Sequence, residues 1–490
     1  MIALNKLLQK IKTLDVRGDT NRFVRDLQYD SRLVEPDAAF IAIRGYRTDG
    51  HDFIHQAYEK GARVFFVEKD VELPGAAFVK VADTRRALPQ IARIFFNYPD
   101  HKLKLIGITG TNGKTTTAYL IHSILKQAHW SPGLVSTVEY FDGKQWEPAE
   151  RTTPESLDLL RLFSRMVNAG LKSAVMEVSS HALSLHRVEG IPFVAGVFTN
   201  LGRDHLDFHE TEEKYFLAKR KLFETFGENQ KAVLNADDPY SRRIRQASKG
   251  EFFTFSMQDP SATVSYVSHR IKREGLQLQL RIPSGMVHLE SALLGNFNIY
   301  NIMAAVTVAI SLGLQENYIV DGVRGLLRVP GRCERYSTSA GFSVYIDYAH
   351  TPQGLQNILG AVLETRPHNL IVVFGAGGDR DKGKRPQMGK AAEDFADQVV
   401  ITSDNPRSED PNAIINDILQ GIYDRNKVTV IPDRKEAIHE ALSRANKRDA
   451  VVIAGKGHEK YQEIAGKRNP FDDHQIVRDF FREKGWEIDI

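Results

Sequence analysis

The chain has 490 residues, too many for one comfortable core, and at roughly 150 residues per domain it suggests about three domains. Its 42% hydrophobic and 26% charged content is that of an ordinary soluble globular protein, and a net charge of +3 is too small to indicate a nucleic-acid or membrane partner. The single cysteine, Cys333, excludes an intramolecular disulfide and any cysteine-based metal site, and it fits a reducing, cytoplasmic setting.

In chain order, "MIALNKLLQKIKTL" spaces its apolar residues at helical intervals with Lys6, Lys10 and Lys12 between them, which predicts an amphipathic first helix rather than a cleaved leader. The runs "ARVFFVEK", "LKLIGIT", "SAVMEVSS", "FVAGVFTN", "LIVVFGAG", "QVVITS" and "AVVIAGKG" read as strands and alternate with helical patterns. That alternation implies parallel α/β sheets. Breakers in "NYPDHKLK" and at Pro330 and Gly331 place domains at 1–100, 101–332 and 333–490. No stretch approaches the ~20 apolar residues of a membrane helix, and "MAAVTVAISLGL", Met303 to Leu314, reads as a buried core helix.

The strongest local signal is "LIGITGTNGKTTTAYLIHSIL". An apolar strand turns through Gly110, Thr111, Asn112 and Gly113 into Lys114, Thr115 and Thr116 and then a helix. This is the layout of a phosphate-binding loop: backbone N–H groups and the positive helix end face phosphates, the lysine adds charge, and the threonine hydroxyl reaches Mg²⁺. It is a variant loop, because the glycine expected five positions before Gly113 is Ile108.

Other strand ends add carboxylates and imidazoles. In "RTTPESLDLLRLFSRMVNAG" the pattern predicts a helix with Thr152 or Thr153 as N-cap, Pro154 in the first turn, Glu155 as capping-box partner and Gly170 past the end. Such a helix N-terminus is also compatible with a docking carboxylate. Glu177 in "MEVSSHAL" stands where it is either a solvated acid or a carboxylate for nucleotide-bound Mg²⁺. "TNLGRDHLDFH" offers Asp204, His205, Asp207 and His209; its His-x-x-x-His spacing invites zinc, but without cysteine or an adjacent glutamate a hard-cation or phosphate site fits better.

In the last third, "VVFGAGGDRDKGKRP" fails the dinucleotide fingerprint at Arg380, and Arg380, Lys382, Lys384 and Arg385 are either a solvated basic turn or donors to an anion. "SDNPRSEDP" places Asp404, Asn405, Pro406 and Arg407 at another strand end, and "AGKGHE" adds Gly455 and Glu459 at a third. Three loops carrying opposite charges suggest a pocket for a small zwitterion.

Taken together, "DSR" at Asp30 to Arg32, "TGTNGKTTT", "TTP", "MEVSSHAL", "TNLGRDHLDFH", "YFLAKRKLF", "LLGNFNIYN", "PGRCERY", "IDYAHTP", "GGDRDKGKRP", "DNPR" and "GKGHE" occur in one order. Over essentially its whole length the chain resembles the Mur ligases of peptidoglycan synthesis, and "DNPR" is the motif of their diaminopimelate-adding branch. The resemblance implies an N-terminal α/β domain for the UDP-linked substrate, a central P-loop ATPase-like parallel-sheet domain, and a C-terminal Rossmann-like domain for the amino acid. It implies ATP as co-substrate, Mg²⁺, and an acyl phosphate formed on the D-glutamate side chain of UDP-MurNAc-L-Ala-D-Glu, which meso-diaminopimelate then displaces.

By position, the resemblance assigns Ser31, Tyr46, Arg47 and Thr48 to the uridine nucleotide and Thr152, Thr153, Ser179 and Arg187 to the muramoyl dipeptide. It assigns Gly110 to Thr116, Asn301, Arg332 and Asp347 to ATP, and Thr115, Glu177 and His205 to metal. Lys114, Glu177, His205 and Lys219 become the catalytic set, with Lys219 carried as a carbamate. Arg380, Asp404, Asn405, Pro406, Arg407, Gly455 and Glu459 become the diaminopimelate pocket. Leu185 departs from relatives that have glutamine there, so that contact is not carried over. The expected protein is a cytoplasmic monomer whose third domain closes on hinges near residues 100 and 333. The rivals are a lysine-adding relative, a folylpolyglutamate synthetase and a nucleotide-switched binding protein.

Overall fold

The computed structural model describes residues 1–45, 48–272 and 275–489, and among these residues three α/β sheets follow one another along the chain. The first runs Asp15–Arg17, Ala77–Lys80, Val64–Val67, Ala38–Ile41 and Asp26–Gln28 in spatial order, parallel except at the Asp15–Arg17 edge. The central sheet has eleven strands. Its parallel body runs Pro132–Val135, Ser173–Glu177, Lys104–Thr109, Phe193–Phe198, Lys231–Asn235, Glu251–Ser256 and Val264–Lys272, and antiparallel strands extend both edges. The third sheet lays Val428–Val430, Gln398–Ile401, Leu370–Phe374, Ala450–Ala454 and Ser343–Asp347 in parallel, then adds antiparallel Glu334–Thr338 and Ile488–Asp489.

All seven strand-like runs of the sequence contain strands of these sheets, so the α/β class holds. Ser173–Glu177, Leu370–Phe374 and Ala450–Ala454 are buried at every residue, as parallel strands covered on both faces must be. Asn296–Ser311 is the buried helix read at Met303, and no helix among the described residues is long and apolar enough to cross a membrane. The helix Glu316–Gly325 packs closely on Lys114–Gln127 at Gly322, where a Cβ would sit 2.5 Å from the Ile124 Cα.

Two expectations need correction. The first helix spans only Leu4–Leu8, because Ile2 and Ala3 pair in extended form with Val24 and Phe23. One turn then buries Leu4 and Leu7, and the remaining periodicity of the segment is not helical. The helix after "TTP" begins at Ser156, with Glu155 itself as N-cap, rather than at Pro154. Thr153 is unavailable as a cap: its hydroxyl donates to the Glu177 carbonyl at 2.9 Å and accepts the Ser179 N–H at 3.1 Å. The adjoining strand end has claimed it.

Arg93, on the helix Thr84–Phe95, joins the first two sheets. Its guanidinium bonds the fully buried Asp100 at 2.7 Å and donates to the Glu189 carbonyl. Removing one member of a buried pair strands the other charge. Arg93→Ala should therefore cost about 3–5 kcal/mol in urea denaturation, whereas Arg86→Ala, at an exposed site, should change stability by less than about 0.5 kcal/mol.

Candidate active site

The Gly110–Gly113 loop leaves the strand Lys104–Thr109 and enters the helix Lys114–Gln127. Gly113 adopts φ +84°, and a Cβ there would lie 2.3 Å from Asn301 Oδ1; a Cβ on Gly110 would lie 1.9 Å from Thr199 Oγ1. Both positions therefore require glycine. Lys114 Nζ donates to the Gly110 and Thr111 carbonyls at 3.0 and 2.9 Å, and burial pushes its pKa down. The first N–H groups of the helix have no intrahelical acceptor and point out of its positive end.

Lys219 arrives from the helix Glu212–Glu224 with its side chain buried, and Nζ donates to the same Gly110 carbonyl at 2.7 Å. Burial, then the charge of Lys114, holds its amine well below the ordinary lysine range. Glu177 is fully buried at its strand end, and both its carboxylate oxygens are engaged by Thr137, from the N–H at 2.8 Å and the hydroxyl at 3.1 Å. Thr137 Oγ1 also contacts Thr152 Oγ1 at 3.1 Å. Burial pushes the His205 imidazole down to about 4 despite Asp204, whose carboxylate lies 3.5 Å away. Arg332 reaches across from the start of the third sheet to donate to Thr115 Oγ1 at 3.3 Å. Asp347 accepts the N–H groups of Cys333 and Ala349, each at 2.7 Å, and so shapes that junction.

Thr111 to Thr116, Thr152, Glu177, Ser179, His205, Lys219, Asn301, Arg332 and Asp347 line one cavity of about 240 Å³. A second, of about 630 Å³, is lined by Arg380, Asp404, Asn405, Arg407, Gly455 and Glu459 together with Thr111, Asn112, Asp204 and His205. The two share Thr111, Asn112, Asp204, His205, Tyr348, His350 and Thr351, and thus form one cleft between the central and third sheets.

In the second cavity Arg407 sits at φ +53° and gives one Nη1 to the Gly378 carbonyl at 2.6 Å. Asn405 is almost used up: Oδ1 accepts Lys456 Nζ and the Glu463 N–H, both at 2.9 Å, and Nδ2 donates to Glu459 at 2.8 Å. It can offer a ligand one amide hydrogen. Pro406 is not in the lining; its carbonyl packs on Gly378. Arg385, read as a possible anion donor, is instead fully buried between Glu409 and Asp417 and holds the loops together.

The remaining residues lie elsewhere. Arg187 donates to the Thr153 carbonyl at 3.1 Å and approaches Glu155 at 3.4 Å; Glu155 also pairs with Arg85 at 3.0 Å. Ser31 is buried and bonds Gln56 at 2.6 Å, while its neighbours Asp30 and Arg32 line a separate cleft of about 580 Å³ against the central sheet. Thr48 is exposed, and Tyr46 and Arg47 lie outside the described residues. Among the described residues no three His, Cys, Asp or Glu side chains cluster as a metal site. Sequence reasoning missed Thr137 and Lys456, although Thr137 follows another parallel strand and Lys456 stands inside "AGKGHE".

Family models match along the chain: "Mur ligase family, catalytic domain" over residues 24–96, "Mur ligase middle domain" over 108–309 and "Mur ligase, glutamate ligase domain" over 331–457. The UDP-N-acetylmuramoyl-L-alanyl-D-glutamate--2,6-diaminopimelate ligase 1 of Clostridium acetobutylicum is 43% identical over 98% of this chain and 100% of its own. The chain belongs to the Mur ligase family. A solved UDP-N-acetylmuramoyl-L-alanyl-D-glutamate--2,6-diaminopimelate ligase superposes on this Mur ligase with a TM-score of 0.68 at 32% identity, covering 99% of both chains. Folylpolyglutamate synthase of Mycobacterium tuberculosis, complexed with ADP and AMPPCP, shares the fold at 19% identity and TM-score 0.63, over 76% of this Mur ligase and 92% of that chain.

A methyl group at Gly113 would collide with Asn301 and strain the loop. Gly113→Ala should weaken ADP binding by at least about tenfold, or about 1.4 kcal/mol, in a calorimetric titration, with the circular dichroism spectrum unchanged.

Proposed function

We propose that this Mur ligase uses ATP to join meso-diaminopimelate to the D-glutamate side-chain carboxylate of UDP-MurNAc-L-Ala-D-Glu, a step of peptidoglycan precursor synthesis. The observation that carries the reading is the shared wall of the two cavities, which opens the phosphate loop and the mixed-charge pocket onto one space. Full-length relatives named as 2,6-diaminopimelate ligases support the choice of substrates.

The substrate carboxylate attacks the γ-phosphorus of ATP, ADP departs, and an acyl phosphate forms. The amine of diaminopimelate, having lost a proton, adds to the acyl carbon; the tetrahedral intermediate then expels phosphate and leaves the amide. A carboxylate approaching a triphosphate meets like charge, so preorganised donors matter most. Lys114, the helix-end N–H groups and Arg332 supply them. Asn301 and Asp347 fix the surroundings of the nucleotide.

The Thr115 hydroxyl, the Glu177 carboxylate and His205 face one cavity, and this sparse oxygen-rich set suits Mg²⁺, which takes one or two protein carboxylates plus phosphate and water. Bound there, Mg²⁺ would supply charge neutralisation at the phosphates. Thr137 holds Glu177 in place for that task.

Lys219 is suited to carry a carbamate: its depressed amine is available neutral, adds CO₂ and releases a proton, which places an anion beside Lys114. Ser31 and the Tyr46 to Thr48 loop take the uridine nucleotide. Thr152, Ser179 and Arg187 take the muramoyl dipeptide, with Thr153 setting the backbone beneath them. Arg380, Asp404, Arg407, Gly455 and Glu459 receive the amino acid, and Asn405 and Pro406 shape its loop. The enzyme works as a cytoplasmic monomer on soluble substrates, without nucleic acid or membrane.

Incubation with ATP, Mg²⁺ and UDP-MurNAc-L-Ala-D-Glu should yield a new amide by mass with meso-diaminopimelate and none with L-lysine; folate plus glutamate should also give none. A lysine product, or ATP turnover without an amide, would overturn the reading. Diaminopimelate differs from lysine by a far carboxylate, which the free edge of the Arg407 fork can take. Arg407→Ala should weaken diaminopimelate use by about 2–5 kcal/mol and leave ADP affinity within about twofold, as read by kcat/KM and calorimetry.

A further inference from the structure

Beside the amino-acid pocket, but outside its lining, lies a buried ion pair. Arg434 opens the helix Arg434–Arg444 and Asp473 opens Asp473–Glu483, and both are fully buried. Arg434 Nε and Nη2 grip the two Asp473 oxygens at 2.9 and 2.7 Å, and Nη2 also donates to the Ala454 carbonyl at 3.0 Å, at the last residue of the strand Ala450–Ala454. Its Nη1 is buried without a partner.

On the pocket side, Asp404 Oδ2 is likewise buried without a partner. Both orphan atoms border Gly455. A Cβ built there would stand 2.3 Å from Asp404 Oδ2 and 3.9 Å from Arg434 Nη1. Gly455, at φ +119°, thus leaves open a gap through which the guanidinium and the carboxylate face each other. Asp404 and Gly455 also line the 630 Å³ cavity.

We propose that Arg434 is a positioning residue of the amino-acid pocket: seated on Asp473, it fixes the Asp404 carboxylate beside Gly455 so that the carboxylate receives an ammonium group of the incoming amino acid. The inference rests on the function proposed above and extends it to a side chain outside the pocket. Burial works against an ionised Asp404, yet Lys456, Arg434 and His350 hold its pKa below the usual carboxylate value. Glu459, which also faces Asp404, is pushed up by burial and by that same charge, so the pocket keeps one firm anion and one soft one. Lys384 also feels the Asp404 charge. Asp473 explains why Arg434 does not swing into the pocket and bind Asp404 outright: two of its three nitrogens are already committed.

The test is steady-state kinetics on the full-length protein, varying each substrate in turn. Arg434→Met alone would strand Asp473, so the informative variants are the double Arg434→Met/Asp473→Leu, which removes both charges, and Arg434→Lys, which keeps the charge and loses the fork. The double variant should raise KM for diaminopimelate at least tenfold while KM for ATP and for the UDP-linked substrate, and kcat, stay within threefold. Arg434→Lys should fall between it and wild type. An unchanged diaminopimelate KM in either folded variant, or an equal rise in all three KM values, would overturn the role of Arg434. If the double variant does not fold, Arg434→Lys decides the matter by the same criterion. Wild-type protein that makes no diaminopimelate amide would instead sink the function on which the inference rests.

Discussion

Two lysine side chains converge on one carbonyl oxygen, that of Gly110, with Lys114 Nζ at 3.0 Å and Lys219 Nζ at 2.7 Å. Among the described residues neither lysine forms an ion pair with a carboxylate; both donate to backbone carbonyls instead. Burial and the charge of Lys114 hold the Lys219 amine well below the ordinary lysine range. Burial without compensation is costly, so this centre is built to take negative charge from outside the polypeptide. The neighbouring features follow from that need. The glycines let backbone approach closely, Thr137 holds both Glu177 oxygens, and Arg332 adds a guanidinium from the next sheet.

The proposed amino-acid pocket obeys the opposite rule. Its charges are balanced within the protein: Asp404 against Lys456 and Arg434, Asn405 bridging Lys456 and Glu459, and Arg407 near Glu463 at 3.6 Å. A zwitterion can enter a balanced pocket without leaving a net buried charge, whereas a polyanion is drawn to the unbalanced one. In the proposed function one cleft thus sorts its ligands by charge, the triphosphate to the lysine end and the amino acid to the mixed end.

The sheets and the phosphate loop were legible in the sequence because parallel strands buried on both faces write themselves as apolar runs, and Gly110 and Gly113 stand where backbone needs them. The loops of the third sheet were legible as places, since each follows such a run. Their internal division of labour was not. Asn405 read as a ligand and proves mostly a brace, because Lys456 and Glu463, far along the chain, supply its partners. Arg385 read as a donor to an anion and proves a core residue for the same reason, its partners Glu409 and Asp417 lying on another segment. The "TTP" cap failed because the threonine met a strand end, a long-range competitor that a local capping rule does not contain. Periodicity at the N-terminus misled in the same way, since the partner strand at Phe23–Val24 took the first residues away from the helix.

The loop "GKGHE" ties the two ends of the cleft together. Glu459 faces the amino-acid cavity and bonds Asn405. The residue before it, His458, sits against the Thr137 backbone, and Thr137 holds both oxygens of Glu177. The same loop is packed on the junction to the central sheet, where a Cβ on Gly331 would lie 2.3 Å from the His458 nitrogen. Consecutive residues thus answer to the amine pocket and to the carboxylate beside the phosphate loop, and the tight Gly331 contact leaves little slack between them. In the proposed function, one short piece of backbone therefore borders both the acceptance of the amine and the carboxylate beside the phosphate loop.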